Sequence, residues 1–307
     1  MKTYFSIALL ALTAFGCKSQ SEKITIKLEK GQIYTQTMSL KSSSEQTISG
    51  TKTNLTTLSE SSSRLEVMDV KDTVYTLKAT FETLSTKMVK DGDTTDNSKA
   101  VAGNPTAEIL PKMIGKSYTM LMSNRGRILE TKGLDVMFDD LFKNMPAAAD
   151  AIRVMMRKSL ASAYGDSAIR KSAEMSSAIY AAKAVKEGDS WPVENSGGNN
   201  IMTPKIKGMY TLDKVSSSEY LISNKSTIEV KNNPTPIEMN NMSMKYAVSG
   251  TMTSNNKVDR KTGMIMEMKA VQNISGTIIL KAPSLPDEMV MPILAKNEIT
   301  MTTTFKK

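Results

Sequence analysis

The sequence predicts an α+β protein in which two blocks of curved antiparallel β-sheet flank a central helical insert, as in a duplicated half-barrel. Three observations carry that prediction. Apolar and polar residues alternate with period two through much of 24–133 and again through 187–307, the pattern of strands with one face buried. Between these blocks, over 134–186, apolar residues recur at helical spacing in an Ala-rich setting. Short polar turns separate the extended runs, and short turns join antiparallel neighbours.

The elements follow in chain order. Lys2 precedes an apolar run from Tyr4 to Phe15, interrupted only by Ser6 and Thr13. A spanning helix needs about 20 apolar residues, so residues 1–16 read as a secretory signal peptide. Ala14-Phe15-Gly16-Cys17 resembles a bacterial lipoprotein signal, in which the peptidase cuts after a small residue and the cysteine carries diacylglycerol on its sulfur. Phe15 stands where such signals usually have a small residue. Cys17 is the only cysteine in the chain. The resemblance therefore implies lipidation at Cys17, a tether over 17–23, and a place in the bacterial cell envelope, on the periplasmic face or at the surface of the outer membrane. Lys18 to Lys23 reach at most about 20 Å, which keeps the folded body against the bilayer, its first partner.

From Ile24 the alternation begins: Ile24, Ile26 and Leu28 face one way, Thr25, Lys27 and Glu29 the other. Tyr34, Met38 and Leu40 repeat it, and Tyr75, Leu77, Ala79 and Phe81 make the clearest strand of the first block. Gly31, Gly50, Asp91-Gly92-Asp93 and Asn104-Pro105 punctuate these runs as turns. Tyr118, Met120 and Met122 give one more strand before the hairpin turn Ser123-Asn124-Arg125-Gly126.

The period then changes. Leu134, Met137, Phe138, Leu141 and Met145 form one stripe of a helix, which Pro146 ends. Helix-favouring sequence continues to Ala184, with Gly165-Asp166-Ser167 as a break and Gly188-Asp189 as the close. After Trp191 the alternation returns in Ile206-Gly208-Tyr210-Leu212, Met244-Tyr246-Val248, Met264-Met266-Met268, Ile274-Gly276-Ile278-Leu280 and Ile299-Met301-Thr303-Phe305. Asp259-Arg260-Lys261-Thr262-Gly263 is a hairpin turn among them. Two short internal matches link the blocks: Lys30-Gly31-Gln32-Ile33-Tyr34 with Glu187-Gly188-Asp189-Ser190-Trp191, and Gly126-Arg127-Ile128 with Gly263-Met264-Ile265.

Composition removes whole classes of chemistry. The 307 residues contain no His and one Cys, which leaves no His-based triad, His-ligated metal, zinc cluster or intrachain disulfide. No phosphate loop, dinucleotide fingerprint or nucleophile elbow occurs. Asp139 and Asp140 are helix neighbours that diverge by about 100 degrees, so they read as a polar face and not as an acid–base pair. The net charge of +9 is spread along alternating strands without the localised patch that nucleic acid requires. Asp72-Thr73-Val74, Asp93-Thr94-Thr95 and Asp166-Ser167-Ala168 resemble Bacteroidota-type O-glycosylation sites. Neither catalytic residue, metal nor cofactor is expected.

Methionine is the unusual feature: 24 residues, against 5% aromatics. Thioethers substitute for Leu and Phe in a core, and they also make an adaptable wall around a greasy ligand. On the second reading Met264, Met266 and Met268, with the Trp191 indole, line a hydrophobic cavity. Cuprous ion is the remaining alternative for such a cluster, and no His or free Cys supports it.

Cys17, the Lys30-Gly31-x-x-Tyr34 opening and the Asp259-Arg260-Lys261-Thr262-Gly263 hairpin together resemble uncharacterised Bacteroidota-type lipoproteins, the domain of unknown function 6263 family. That resemblance implies an envelope location and no assigned activity. Two expectations follow: a non-enzymatic envelope lipoprotein that binds a hydrophobic ligand or lipid, resembling lipoprotein-carrier half-barrels, or a structural lipoprotein that docks another envelope protein.

Overall fold

A computed structural model describes residues 21–48, 51–96, 105–143, 145, 150–196, 204–230, 237–239, 242–281 and 288–306. The leader 1–16, Cys17, Gly50, Asn104 and Pro146 lie outside the described residues. The first half contains β1 (Ile33–Ile48), β2 (Thr51–Lys71), β3 (Val74–Lys90), β4 (Asp93–Asp96), helix α1 (Pro105–Met113), β5 (Ser117–Ser123) and β6 (Ile128–Lys132). Helices α2 (Leu134–Phe142), α3 (Asp150–Tyr164) and α4 (Asp166–Ser177) follow. The second half contains β7 (Ser190–Ser196), β8 (Lys205–Val215), β9 (Glu219–Val230), β10 (Ile237–Met239), β11 (Met242–Asp259), β12 (Ile265–Lys281) and β13 (Met289–Lys306).

These thirteen strands form one antiparallel sheet, in the order β6-β5-β3-β2-β1-β13-β12-β11-β9-β8-β7, with β4 beside β3 and β10 beside β11. Its centre is the pairing of β1 with β13, which runs from Ile33 opposite Lys306 to Gln46 opposite Ile293. The expected α+β class, two β blocks flanking a central helical insert, is thereby corrected. Among the described residues strand accounts for 63% and helix for 17%, and they make a mostly-β molecule built on a single sheet. Alternation reports which face of a strand is buried, but it carries no trace of a pairing between the first strand and the last.

Helices α2 to α4 lie between β6 and β7 in sequence, and those two strands are the edges of the sheet. The chain therefore leaves one edge and returns to the other across the inner face. That this face is curled follows from the core. One buried cluster draws Leu65, Tyr75, Leu77 and Met122 from the first wing together with Trp191, Leu212, Ile222 and Val258 from the second. A second cluster packs Ile109, Leu110 and Met113 of α1 and Met137, Phe138 and Leu141 of α2 on Phe81 and Leu84 of β3. The sequence reading places a turn at Asn104-Pro105 and assigns no helix to the α1 segment, which has Pro111 inside it.

Ile24, Ile26 and Leu28 are buried as their alternation predicts, at 1%, 4% and 6% exposure. They do not form the strand expected of them. Residues 22–31 are an extended strap that crosses the end of the curled sheet and bonds to its turns. Glu22 exchanges two backbone hydrogen bonds with Val185 (2.8 and 2.9 Å). The Ile26 amide donates to the Asn124 carbonyl (2.8 Å), the Lys27 amide to that of Thr262 (2.7 Å), and the Gly31 amide to that of Val67 (2.8 Å). Adjacent strap residues are thus held from opposite wings, by the β5–β6 and β11–β12 turns. Gly263 makes the approach feasible: at φ +68°, a Cβ on it would lie 2.0 Å from the Thr25 carbonyl oxygen.

The two wings repeat local geometry around this strap. Gly31 (φ 87°) donates to Val67, and Gly188 (φ 88°) donates to Leu212 at the same 2.8 Å. The registers then shift at matching places, between Val67 and Asp69 in β2 and between Leu212 and Lys214 in β8. Tyr75 and Tyr220, one step beyond these bulges, both reach the strap, through the Ile26 carbonyl (2.7 Å) and the Glu22 carboxylate (2.5 Å).

Candidate functional site: an apolar cleft beneath α4

Helix α4 lines the inner face mainly with small side chains, Ala168, Ser172, Ala173, Ser176 and Ser177, and with one larger one, Ile169. A core helix would place Leu or Phe there. Among the α4 residues only Ser177 is buried, so the helix spans the sheet without filling the space beneath it. The result is a cleft of about 330 Å³, a volume at the lower end for small-molecule sites. The sheet side contributes Tyr34, Met38, Leu65, Leu77, Tyr118, Met120, Met122 and Met301, and the strap contributes Ile26 and Leu28. Gln36, Ser61 and Ser63 are the polar residues on the sheet side, and no Asp, Glu, Lys or Arg lines the cleft.

Both ends of α4 are tied down. At its start the Thr131 hydroxyl donates to the Asp166 carboxylate (2.7 Å), which also accepts from Arg170 Nε (2.9 Å). Burial opposes ionisation of Asp166, yet Arg170 and Thr131 outweigh it and hold its carboxyl below the usual range. Beyond its C-terminal end, the Trp191 indole N–H donates to the Ala178 carbonyl (3.1 Å) and Arg125 Nη2 donates to that of Tyr180 (2.7 Å). The Tyr180 hydroxyl, wholly buried, donates to the Gly263 carbonyl (2.8 Å), and burial raises its pKa well above the ordinary phenol value.

Of the residues that the sequence singles out, Met264 lines the cleft together with Ile265. Met266 and Met268 are half-buried against the same core without reaching the cleft. A bulge displaces Met266: Val258 pairs with Ile265 and Lys257 with Glu267, leaving Met266 unopposed, while Met268 stays opposite Met301. Trp191 is buried and stacked on Tyr210, with centroids 6.0 Å apart and rings 19° from parallel. It secures the end of α4 and does not line the cleft. The methionines that do line it beside Met264 are Met38, Met120, Met122 and Met301. Their alternation is visible in the sequence, whereas their convergence depends on the β1–β13 pairing.

Asp139 and Asp140 turn to different partners, as helix geometry requires. Arg157 Nε donates to Asp139 (2.8 Å), while Lys116 (2.6 Å) and Lys143 (2.5 Å) bond Asp140 and hold its carboxyl down at about 2. Among the described residues no group of three or more Asp, Glu, His or Cys is placed to hold a metal. A larger hollow of about 920 Å³ lies on the outer face toward the far ends of the central strands, lined by Ser43, Thr56, Thr251, Asn273 and Lys296. It is a trough in the polar, solvent-facing side of the sheet. The apolar cleft between α4 and the sheet is therefore the candidate site.

Three solved structures show a weak similarity to the chain. An outer membrane channel from Pseudomonas putida F1 is 8% identical, with 91% of this chain and 97% of that one covered, at a TM-score of 0.22. The translocator domain of the autotransporter NalP from Neisseria meningitidis is 6% identical, covers 90% of each chain and scores 0.19. OccK7 (OpdD) from Pseudomonas aeruginosa is 6% identical, with 91% and 100% covered, and scores 0.20. Scores that low carry no inference about fold or function. No curated protein matches the sequence. The profile of a family of unknown function does match, over residues 72–265, from the β2–β3 turn to the start of β12. Since that span is more than half of the 307 residues, the chain belongs to the family of unknown function DUF6263.

Proposed function

We propose that this protein is a non-enzymatic lipoprotein of the bacterial envelope, anchored through Cys17, that holds one hydrophobic molecule in the cleft beneath α4. The observation that carries the reading is the cleft itself: about 330 Å³ of space between a methionine-lined sheet and a helix that lines it mainly with Ala and Ser. Unbranched thioether side chains repack around apolar shapes more readily than Leu or Val. The strap that floors the cleft begins at Glu22, five residues after Cys17, so the tether keeps the start of the strap within about 20 Å of the anchored bilayer.

Native mass spectrometry of the full chain, taken from its own membranes in mild detergent, tests the reading. The expected result is an apolar molecule retained at about one per protein and released on unfolding. A protein that carries nothing and does not enhance the fluorescence of N-phenyl-1-naphthylamine overturns it. The anchor has its own test: Cys17→Ser is expected to move the exported protein from the membrane pellet to the soluble fraction, and continued sedimentation with unchanged mass overturns lipidation.

A further inference from the structure

Resting on that reading, we infer that the cleft selects a neutral single-chain amphiphile, one whose uncharged hydrogen-bonding group (an ester or amide carbonyl, or a hydroxyl) meets a polar row centred on Gln36. Three observations converge on this class. The first is charge. With no Asp, Glu, Lys or Arg in the lining, a carboxylate, phosphate or ammonium drawn into the cleft loses its hydration and gains no counter-ion, which is strongly unfavourable.

The second is a band of hydrogen-bonding groups within the apolar surface. Gln36 lies opposite Thr303 of β13 on one side and Ser63 of β2 on the other, and cross-strand partners share a face. The next row toward the strap is Tyr34, paired with Leu65, and the next row away is Met38, paired with Met301. Gln36 and Ser63 line the cleft, and the Gln36 amide offers two donors and an acceptor. The third is an unmet need in the same row. Thr303 is 3% exposed and its Oγ1 has no hydrogen-bond partner among the described residues. Buried polar groups are nearly always satisfied, and one that is not calls for an explanation. A carbonyl or hydroxyl brought to this row supplies the Gln36 amide with a partner next to Thr303, which lies behind the lining. The small volume admits one short chain and excludes a diacyl body.

The test is competition against N-phenyl-1-naphthylamine on the full, lipid-anchored protein in neutral detergent, with monooctanoylglycerol, octanamide and octanoate at pH 8 as competitors. The two neutral lipids are expected to displace the dye at concentrations at least about ten-fold below that of octanoate, because a site built to pair an uncharged polar group rejects a mismatched one. Gln36→Leu is expected to reduce that preference to within about two-fold by removing the pairing amide, whereas Gln36→Asn keeps the larger part of it. Equal competition by all three lipids overturns the inference and leaves the hydrophobic cleft standing. A full preference that survives in Gln36→Leu overturns the role of the row. Absence of dye binding overturns the underlying reading of the cleft. The wild-type comparison decides the ligand class without any variant, so a poorly folded substitution leaves the test intact.

Discussion

Glu22 and Arg260, 238 positions apart in sequence, form an ion pair that closes the strap onto the second wing. The Tyr220 hydroxyl donates to the same carboxylate at 2.5 Å, and Arg260 lies 6.0 Å over the Tyr220 ring. Arg260 also donates to the Ser216 carbonyl (2.8 Å), which ties the β8–β9 and β11–β12 turns together. The hydrogen bond from Tyr220, with the Arg260 charge, lowers the Glu22 pKa from its ordinary 4.5 despite partial burial.

A depressed carboxyl pKa fixes the sign of a pH effect. The folded state releases the Glu22 proton more readily than the unfolded state, so this contribution is fully present above pH 4.5 and is lost as pH falls through the lower folded value. Glu22→Gln is therefore expected to lower the melting temperature at pH 7 and to match the wild type near pH 2. Thermal unfolding followed by circular dichroism across that range checks it. A constant difference between the two proteins at every pH would exclude the ion pair as the cause.

The tyrosines predict the opposite limb. Burial, first among the causes at each, pushes Tyr34, Tyr118, Tyr210 and Tyr220 up to about 12, and Tyr180 shifts in the same direction. The unfolded chain loses these protons near the ordinary value of 10, while the folded chain keeps them. Stability is thus expected to fall as pH rises from about 10 toward 12. Phenolate absorbance near 295 nm, recorded with circular dichroism, should show part of the tyrosine ionisation coinciding with unfolding.

Gly263 and Gly188 separate two costs. Both have positive φ, at 68° and 88°. Gly188 has nothing within 4 Å of an added Cβ, whereas Gly263 has the Thr25 carbonyl oxygen at 2.0 Å. Gly188→Ala is expected to cost about 1–2 kcal/mol for the left-handed backbone alone. Gly263→Ala pays the same amount and also displaces the strap, so its chemical denaturation midpoint should fall clearly below that of Gly188→Ala. Equal midpoints would mean that the strap yields without cost.

Ala173 tests the cleft from the helix side. Ala173→Leu adds methylenes to an existing space, each worth about 0.8 kcal/mol when buried. The variant should match or exceed the wild type in melting temperature while binding N-phenyl-1-naphthylamine less well. Unchanged dye binding, measured by fluorescence titration, would place the ligand elsewhere.

Much of the sheet was legible in the sequence because burial in a strand leaves a period of two. Tyr75-Leu77-Ala79 and Tyr118-Met120-Met122 carry that mark, and the Gly165-Asp166 junction between α3 and α4 follows from its breaker residues. What escaped is non-local. Ile24-Ile26-Leu28 has the alternation of a strand, yet its hydrogen bonds go to turns of two wings instead of a neighbouring ladder. The Met264-Met266-Met268 face fails at a one-residue bulge that no composition signal marks. The cleft is hidden for a further reason: it arises from what α4 lacks, and an Ala- and Ser-rich helix reads equally well as a solvent-facing one. The β1–β13 seam, which sets the fold class, joins residues from the two ends of the chain.

That seam has a consequence for biogenesis. Each wing is a meander of sequential hairpins, whose short-range contacts form quickly. The sheet as a whole stays open along its middle until β13, the eighteen residues Met289–Lys306, inserts between β1 and β12. A chain synthesised from its N-terminus thus closes this sheet only once β13 is available. Premature termination anywhere before Met289 would leave two exposed strand edges side by side, a substrate for proteolysis or for pairing with a second truncated copy.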